Sequence, residues 1–188
     1  LGSPATYLAY TQLPRICAET NSQLTYIPML LGGVFKATGN ASPAMIPAKG
    51  RYMFQDLDRY AKRYGVALNF NPHFPINTLL LMRAVTGIQL RQPERFQAFV
   101  DCLFTALWVE GRNLSDPATV AAVLSEHGFA PDDVLALTND ETVKAALKDN
   151  TETAIKRGVF GAPTLFIGNQ MFFGQDRLDF VEEALRQV

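Results

Sequence analysis

Cysteine is scarce in this sequence. Cys17 and Cys102 are the only two among 188 residues, far apart, with no C-x-x-C and no metal-ligand spacing around either. The expectation is a pair of reduced, mostly buried thiols in a reducing, cytoplasmic compartment, and no metal. There is no basic run, and the formal net charge is −1, which excludes an electrostatic surface for nucleic acid or anionic membrane. No apolar segment approaches the roughly 18–20 residues needed to cross a bilayer. Internal repeats and low-complexity tracts are also missing. The sequence has no initiator Met and starts at Leu1-Gly2-Ser3-Pro4, as though inside a motif. Some residues are expected upstream, so the lack of a signal peptide excludes nothing. What is present is 48% hydrophobic residues, enough for one globular domain with room for a large insertion.

Ser3-Pro4 is a helix start, serine as N-cap and proline at the first helical position. Tyr7, Leu8 and Ile16 line its apolar face, and Pro14 is expected to kink or break it. Leu24 to Leu31 reads as a strand, and Gly32 to Pro47, with its Gly and Pro and no period, as a loop. From Lys49 the pattern is helical: Met53, Leu57, Tyr60, Ala61 and Tyr64 share a face that Gly65 ends. Asn69 to Pro75 is irregular, and Asn77 caps the helix of Leu80, Leu81 and Ala84. Pro93 opens a helix with Phe96, Phe99, Val100, Leu103, Phe104, Leu107 and Trp108 on one side, core or dimer contact. Asp116-Pro117 starts another, ended by Gly128 after His127, a helix C-terminal cation. Asp140 to Arg157 is the last long helical run.

The stretch from Gly158 to Asp176 is the most informative. Pro163 stands before the strand-forming run Thr164-Leu165-Phe166-Ile167, Gly168-Asn169 signals a two-residue hairpin, and Met171-Phe172-Phe173 returns. Gly174-Gln175-Asp176 then leads to Leu178, Val181 and Leu185 at helical spacing. Proline cannot donate to a ladder, so Pro163 marks either an ordinary edge with a trans bond or a special cis turn.

Strand, hairpin, strand and helix behind a proline resemble the second half of a thioredoxin fold. With Ser3-Pro4 at a helix start and a helical segment between, the whole chain resembles the DsbA-like group of kappa-class glutathione transferases and 2-hydroxychromene-2-carboxylate isomerases. The motifs are Gly33 to Ala44 (G-V-F-K-A-T-G-N-A-S-P-A), Pro47 to Met53 (P-A-K-G-R-Y-M), and G-V-F-G-A-P-T with F-F-G-Q-D-R-L between Gly158 and Leu178. The implied fold class is α/β, thioredoxin-like with a large all-helical insertion and its first strand missing from the chain. The expected division is a first half over 1–42, the insertion over 43–150 and a second half over 151–188. Redox members carry C-x-x-C where this chain reads S-P-A-T from Ser3. Disulfide exchange needs an attacking thiolate of the protein's own, so disulfide oxidase activity is excluded.

A thioredoxin site without cysteine can hold the sulfur of another molecule, and the resemblance names glutathione. Its thiol is mostly protonated at neutral pH; a helix N-terminus and the Ser3 hydroxyl would stabilise the thiolate. The plainer reading is that Ser3 is only a cap. Were Pro163 cis, the N–H and C=O of Ala162 would pair with the cysteinyl part of glutathione. Backbone N–H groups at Gln175 and Asp176 suit the γ-glutamyl carboxylate, and the Asp176 carboxylate suits its ammonium while capping the last helix. By resemblance alone, Asn40 and Lys49 approach the sulfur or the glycyl end. Arg51, Tyr52, His73, Phe74 and Asn77 are weak candidates for the substrate; for His73 the reading without a role is the stronger. Tyr7 and Trp108 are assigned to packing.

The expected activity is a glutathione-dependent isomerase of the 2-hydroxychromene-2-carboxylate type, acting on a small-molecule electrophile or aromatic acid, in a homodimer. The alternative is a kappa-class-like transferase or peroxidase, which the loop residues Lys36 and Met45-Ile46 fit better. A glutathione-binding module that has lost catalysis is the reading from a different class, and the retained Ser3 argues against it.

Overall fold

A computed structural model describes residues 1–187. Helix α1 (Pro4–Glu19) opens the chain, followed by α2 (Leu31–Thr38) and α3 (Pro47–Tyr64). Next come α4 (Leu79–Arg91), α5 (Phe96–Trp108), α6 (Pro117–Glu126), α7 (Pro131–Asn139) and α8 (Glu141–Lys156). The hairpin β1 (Thr164–Ile167) and β2 (Gln170–Phe173) and a last helix, α9 (Leu178–Leu185), complete it. The strands are antiparallel, with Ile167 opposite Gln170 across the two-residue Gly168-Asn169 turn, where Gly168 takes a left-handed φ of 56°. That is the hairpin the sequence predicts.

Helix α1 is packed on two sides. Its Tyr7, Leu8 and Tyr10 join one large apolar cluster with Leu57 and Ala61 of α3, Ile88 of α4 and Phe99, Leu103 and Trp108 of α5. Ala9, Leu13 and Ile16 join a smaller cluster with Leu178 of α9. This double anchoring bears on Pro14, where no break occurs. The helix runs unbroken through that exposed proline, because the turns before and after it are each fastened by buried side chains. The lost N–H and ring clash are outweighed by packing on both flanks.

Two other expectations are corrected. Leu24 to Leu31 forms no strand, although burial alternates from Ser22 to Ile27 with the two-residue period of one. A ladder needs a neighbour, and none lies beside it among the described residues. Its backbone is tied by side chains instead: Gln89 Nε2 donates to the Tyr26 carbonyl at 2.7 Å, and the Leu30 N–H to Thr151 Oγ1 at 3.0 Å. Gly32 to Pro47 is not a loop but α2, ended by Gly39 at φ 70°, then a 3₁₀ turn over Pro43–Met45. Two glycines weaken helix propensity, but tertiary packing overrides it. Val34 is fully buried, and Gly33 comes so close to α8 that a Cβ there would sit 3.2 Å from Thr151 Cγ2. Helix α7, absent from the sequence reading, had its start signals in plain view: Pro131 at the first position and Asp132 and Asp133 in the first turn.

The α4–α7 crossing is equally tight. A Cβ on Gly87 would lie 2.8 Å from Leu137 Cβ. Overpacking costs about 1–3 kcal/mol, while alanine regains about 1 kcal/mol of helix propensity. Gly87→Ala is therefore expected to be destabilising by about 1 kcal/mol net, seen as a Tm about 2–4 °C lower for a chain of this size.

Candidate functional site

The site is built on the first residue before α1. Ser3 is the N-cap, extended at φ −128°, its Oγ accepting from the Thr6 N–H at 3.2 Å. Pro4 follows at the first helical position, where no N–H is missed. The first turn carries no acidic side chain, so the positive end of the 16-residue helix is not neutralised by its own sequence. Ser3 is 9% exposed and its hydroxyl donates to the Ala162 carbonyl at 3.0 Å. That bond joins two segments 159 residues apart and defines the site.

Ala162-Pro163 is a cis peptide, resolving the alternative left open by the sequence. The Ala162 amide N–H has no partner among the described residues, whereas its carbonyl is already engaged by Ser3. Immediately behind, the Pro163 carbonyl accepts from the Gly174 N–H at 3.0 Å, holding the end of the hairpin against its start. Gly174 takes φ 105° and ψ 152°, a conformation closed to residues with a Cβ. This turn delivers Gln175 and Asp176 beside the proline. Gln175 is buried, and its carbonyl accepts from the Tyr64 hydroxyl at 2.5 Å. Asp176 does not cap the last helix: it lies inside a 3₁₀ turn, Gln175–Arg177, and α9 begins at Leu178 with no side-chain cap. Its carboxylate pairs with Arg177 at 2.6 Å and faces a groove of about 270 Å³ shared with Tyr64 and Arg63.

Asn40 also reaches this region. Its side-chain amide donates to the Phe160 carbonyl at 2.8 Å, two residues before Ala162. Ser3, Asn40, Ala162, Pro163, Gln175 and Asp176 are thus linked by hydrogen bonds or chain adjacency. The remaining candidates are not tied into that network. Lys49, Arg51 and Tyr52 are exposed at the start of α3, and none forms an ion pair among the described residues. His73 is exposed, and Asn77 is not the cap expected of it: Thr78 holds the N-cap position with no side-chain cap bond, and Asn77 Oδ1 accepts from the Leu79 N–H at 3.0 Å one residue earlier. Phe74 packs tilted against Trp108 and edge-on against Phe54, at 5.7 and 6.0 Å. Tyr7 and Trp108 are buried, as their packing assignment requires, with Tyr7 Oη donating to the Ala67 carbonyl at 2.9 Å.

Sequence reasoning missed Tyr64 as the residue bonded to Gln175, and missed a cavity of about 180 Å³ beside Pro4. Pro4, Phe54, Leu68, Phe70 and Trp108 form its apolar walls. The available signal was the density of aromatics around the irregular Asn69–Pro75 stretch.

A family model described as a DSBA-like thioredoxin domain matches residues 2–186. The chain belongs to the DSBA-like thioredoxin domain family. Among its relatives, glutathione S-transferase kappa 1 of Rattus norvegicus is 28% identical, over 97% of this chain and 86% of the relative. The 2-hydroxychromene-2-carboxylate isomerase of Sphingobium xenophagum is 29% identical, over 97% of this chain and 93% of the relative. A solved 2-hydroxychromene-2-carboxylate isomerase superposes with a TM-score of 0.85 at 27% identity, covering 98% of this chain and 90% of the other. A probable DsbA oxidoreductase from Streptomyces coelicolor, at 15% identity and a TM-score of 0.76, shares the fold. The thioredoxin-like α/β fold with a mainly helical body is therefore established, with isomerases and glutathione transferases as relatives. Among the described residues no helix is long and apolar enough to cross a membrane, and no cluster of metal-ligating side chains occurs.

Both thiols of this DSBA-like domain are held toward the protonated form. Cys102 is buried and burial pushes its thiol up to about 12; Cys17, half-buried rather than enclosed, is raised by the same cause. Since the thiolate is the reactive form, Cys102 is expected to stay unalkylated by iodoacetamide at pH 8 for hours in the folded protein. Cys17 should react more slowly than free cysteine, and both should react at once in denaturant, as read by mass spectrometry.

Proposed function

We propose that this protein is a glutathione-dependent enzyme of the isomerase type, with Ser3 at the N-terminus of α1 stabilising the thiolate. The observation that carries the reading is the Ser3–Ala162 junction: a capped, un-neutralised helix start, a hydroxyl donor and a cis-proline backbone meet at one point where no cysteine stands. Relatives named as 2-hydroxychromene-2-carboxylate isomerases and kappa transferases, matched along nearly the whole chain, support it.

The donor set suits glutathione. The Ser3 hydroxyl turns from the Ala162 carbonyl to the sulfur, and the helix start favours the anionic form. That rotation releases the Ala162 carbonyl, which together with the unpartnered N–H forms the donor–acceptor pair an extended peptide needs. Asp176 accepts the γ-glutamyl ammonium in exchange for Arg177, and the N–H groups of the Gln175–Arg177 turn receive the carboxylate. Asn40 holds the segment before Ala162 in place, and Lys49 takes the glycyl carboxylate. Held by these residues, glutathione would supply a nucleophile for reversible addition to a conjugated double bond. The chain's part is to ionise, orient and shield.

A kappa-like transferase is the second reading, favoured by the cavity beside Pro4, which has no lysine, arginine or histidine in its walls to seat the acid of a hydroxychromene carboxylate. Glutathione titrated calorimetrically should bind with a 1:1 stoichiometry per chain. With a conjugated substrate, product formed while glutathione stays constant is the isomerase result, and stoichiometric consumption is the transferase result. No binding heat and no glutathione-dependent turnover would remove both.

A further inference from the structure

Tyr64 is the last residue of α3, and among the described residues it alone packs against both apolar clusters. One is the large cluster of the helical body, the other the small cluster of α1 and Leu178. Its hydroxyl leaves that packing to meet the Gln175 carbonyl at 2.5 Å, 111 residues away. Burial and the adjacent Tyr60 push the phenol up to about 12, so it remains a donor at neutral pH.

The turn it reaches is held by little else. Among the described residues, two hydrogen bonds from other segments reach 174–177. The Gly174 N–H donates to the Pro163 carbonyl, and Tyr64 donates to Gln175. Arg177 bonds only to its neighbour Asp176, and α9 begins at Leu178 without a side-chain cap. The bond from Tyr64 therefore ties this turn to the helical body.

The bond also sets a direction. A trans peptide is rigid and points its C=O and the next N–H to opposite sides. Fixing the Gln175 carbonyl toward α3 therefore turns the Asp176 N–H away from α3. The same bond polarises that peptide and makes its N–H a stronger donor. We propose that Tyr64 is a positioning residue for ligand recognition: it holds the Gln175 carbonyl so that the Asp176 N–H and carboxylate face the γ-glutamyl end of glutathione. The ligand's identity rests on the proposed function, whereas the tether rests on the hydrogen bond alone.

Tyr64→Phe removes the hydroxyl and keeps the ring in both clusters. Without ligand, a peptide spanning 173–180 should exchange its amide hydrogens at least about threefold faster, as read by mass spectrometry. Tyr60→Phe is the control, since its ring lies 5.6 Å from that of Tyr64 and the bond to the turn is kept. Its exchange should match that of the unaltered protein. Glutathione affinity, measured calorimetrically, should fall about fivefold in Tyr64→Phe, because only turns in the receiving conformation bind. At saturating glutathione, kcat and the pKa of the bound thiol should stay as they were, because Ser3 and the start of α1 are untouched. Unchanged exchange, unchanged affinity, or a kcat that falls along with affinity overturns the proposal. If the unaltered protein binds no glutathione while Tyr64→Phe still speeds exchange, the glutathione reading fails and the tether is supported. If glutathione binds equally well with and without the hydroxyl, the reading stands and the role given to Tyr64 fails.

Discussion

Ser3→Ala is expected to lower glutathione-dependent turnover about 10²-fold, the scale for deleting one donor to a developing or resident anion, while glutathione affinity changes less than threefold. The acid limb of the pH–rate profile should move to higher pH, because the bound thiol loses a donor that favours its ionised form. Ser3 also caps α1 and bonds to Ala162, so part of any effect is structural. Loss of a cap costs about 1 kcal/mol, or about 2–4 °C in Tm for a chain of this size, far too little to unfold the enzyme at 25 °C. Ser3→Asp separates the two roles. Aspartate caps as well as serine but offers an anion and no donor, so the variant should fold and turn over more slowly than Ser3→Ala. Ser3→Thr, which retains both functions, should keep most of the rate. Equal losses of turnover and affinity in Ser3→Ala would favour a binding module over an enzyme.

Gly174→Ala carries the second large effect. Alanine at φ 105° and ψ 152° costs about 1–3 kcal/mol in backbone strain. In addition, its Cβ would lie 2.3 Å from Asp176 Oδ1, so the carboxylate must leave its position. The Gly174–Pro163 hydrogen bond, which sets the spacing between Ala162 and Asp176, is strained in the same step. Glutathione affinity is expected to fall about tenfold, one charge-assisted bond's worth, and Tm by several degrees. Asp176→Ala should weaken binding alike without the loss of stability. In the double variant the two binding effects should not add, since both act through one carboxylate. Additive losses measured by calorimetry would show that Gly174→Ala acts independently of the Asp176 carboxylate, and an unchanged affinity in Asp176→Ala would show that Asp176 does not contact the ligand.

Most of the site was legible because it sits at element ends, where local chemistry dictates structure. Ser3-Pro4 announces a cap and Gly168-Asn169 a hairpin, while Pro163 marks a strand start whose cis bond only the structure decides. The misreadings fall where long-range packing decides. Gly32 to Thr38 has poor helix propensity and is helical because Val34 is buried and Gly33 lies against Thr151. Ser22 to Ile27 has the strand period and, among the described residues, no strand beside it. Tyr64 reads as one more apolar-face residue of α3, and nothing in its neighbourhood reveals that its hydroxyl meets Gln175, 111 residues away.

By itself, then, the sequence determined the local features: no C-x-x-C, a serine-capped helix and a proline-led hairpin, each specified by residues within a few positions of one another. The tertiary structure decided which of these meet. It brought Ser3 to Ala162, left Lys49 and His73 outside the hydrogen-bonded network, and surrounded Pro4 with aromatic rings, Asp58 and Asn69. Those choices depend on side chains far apart in the chain burying one another, information that no local pattern carries.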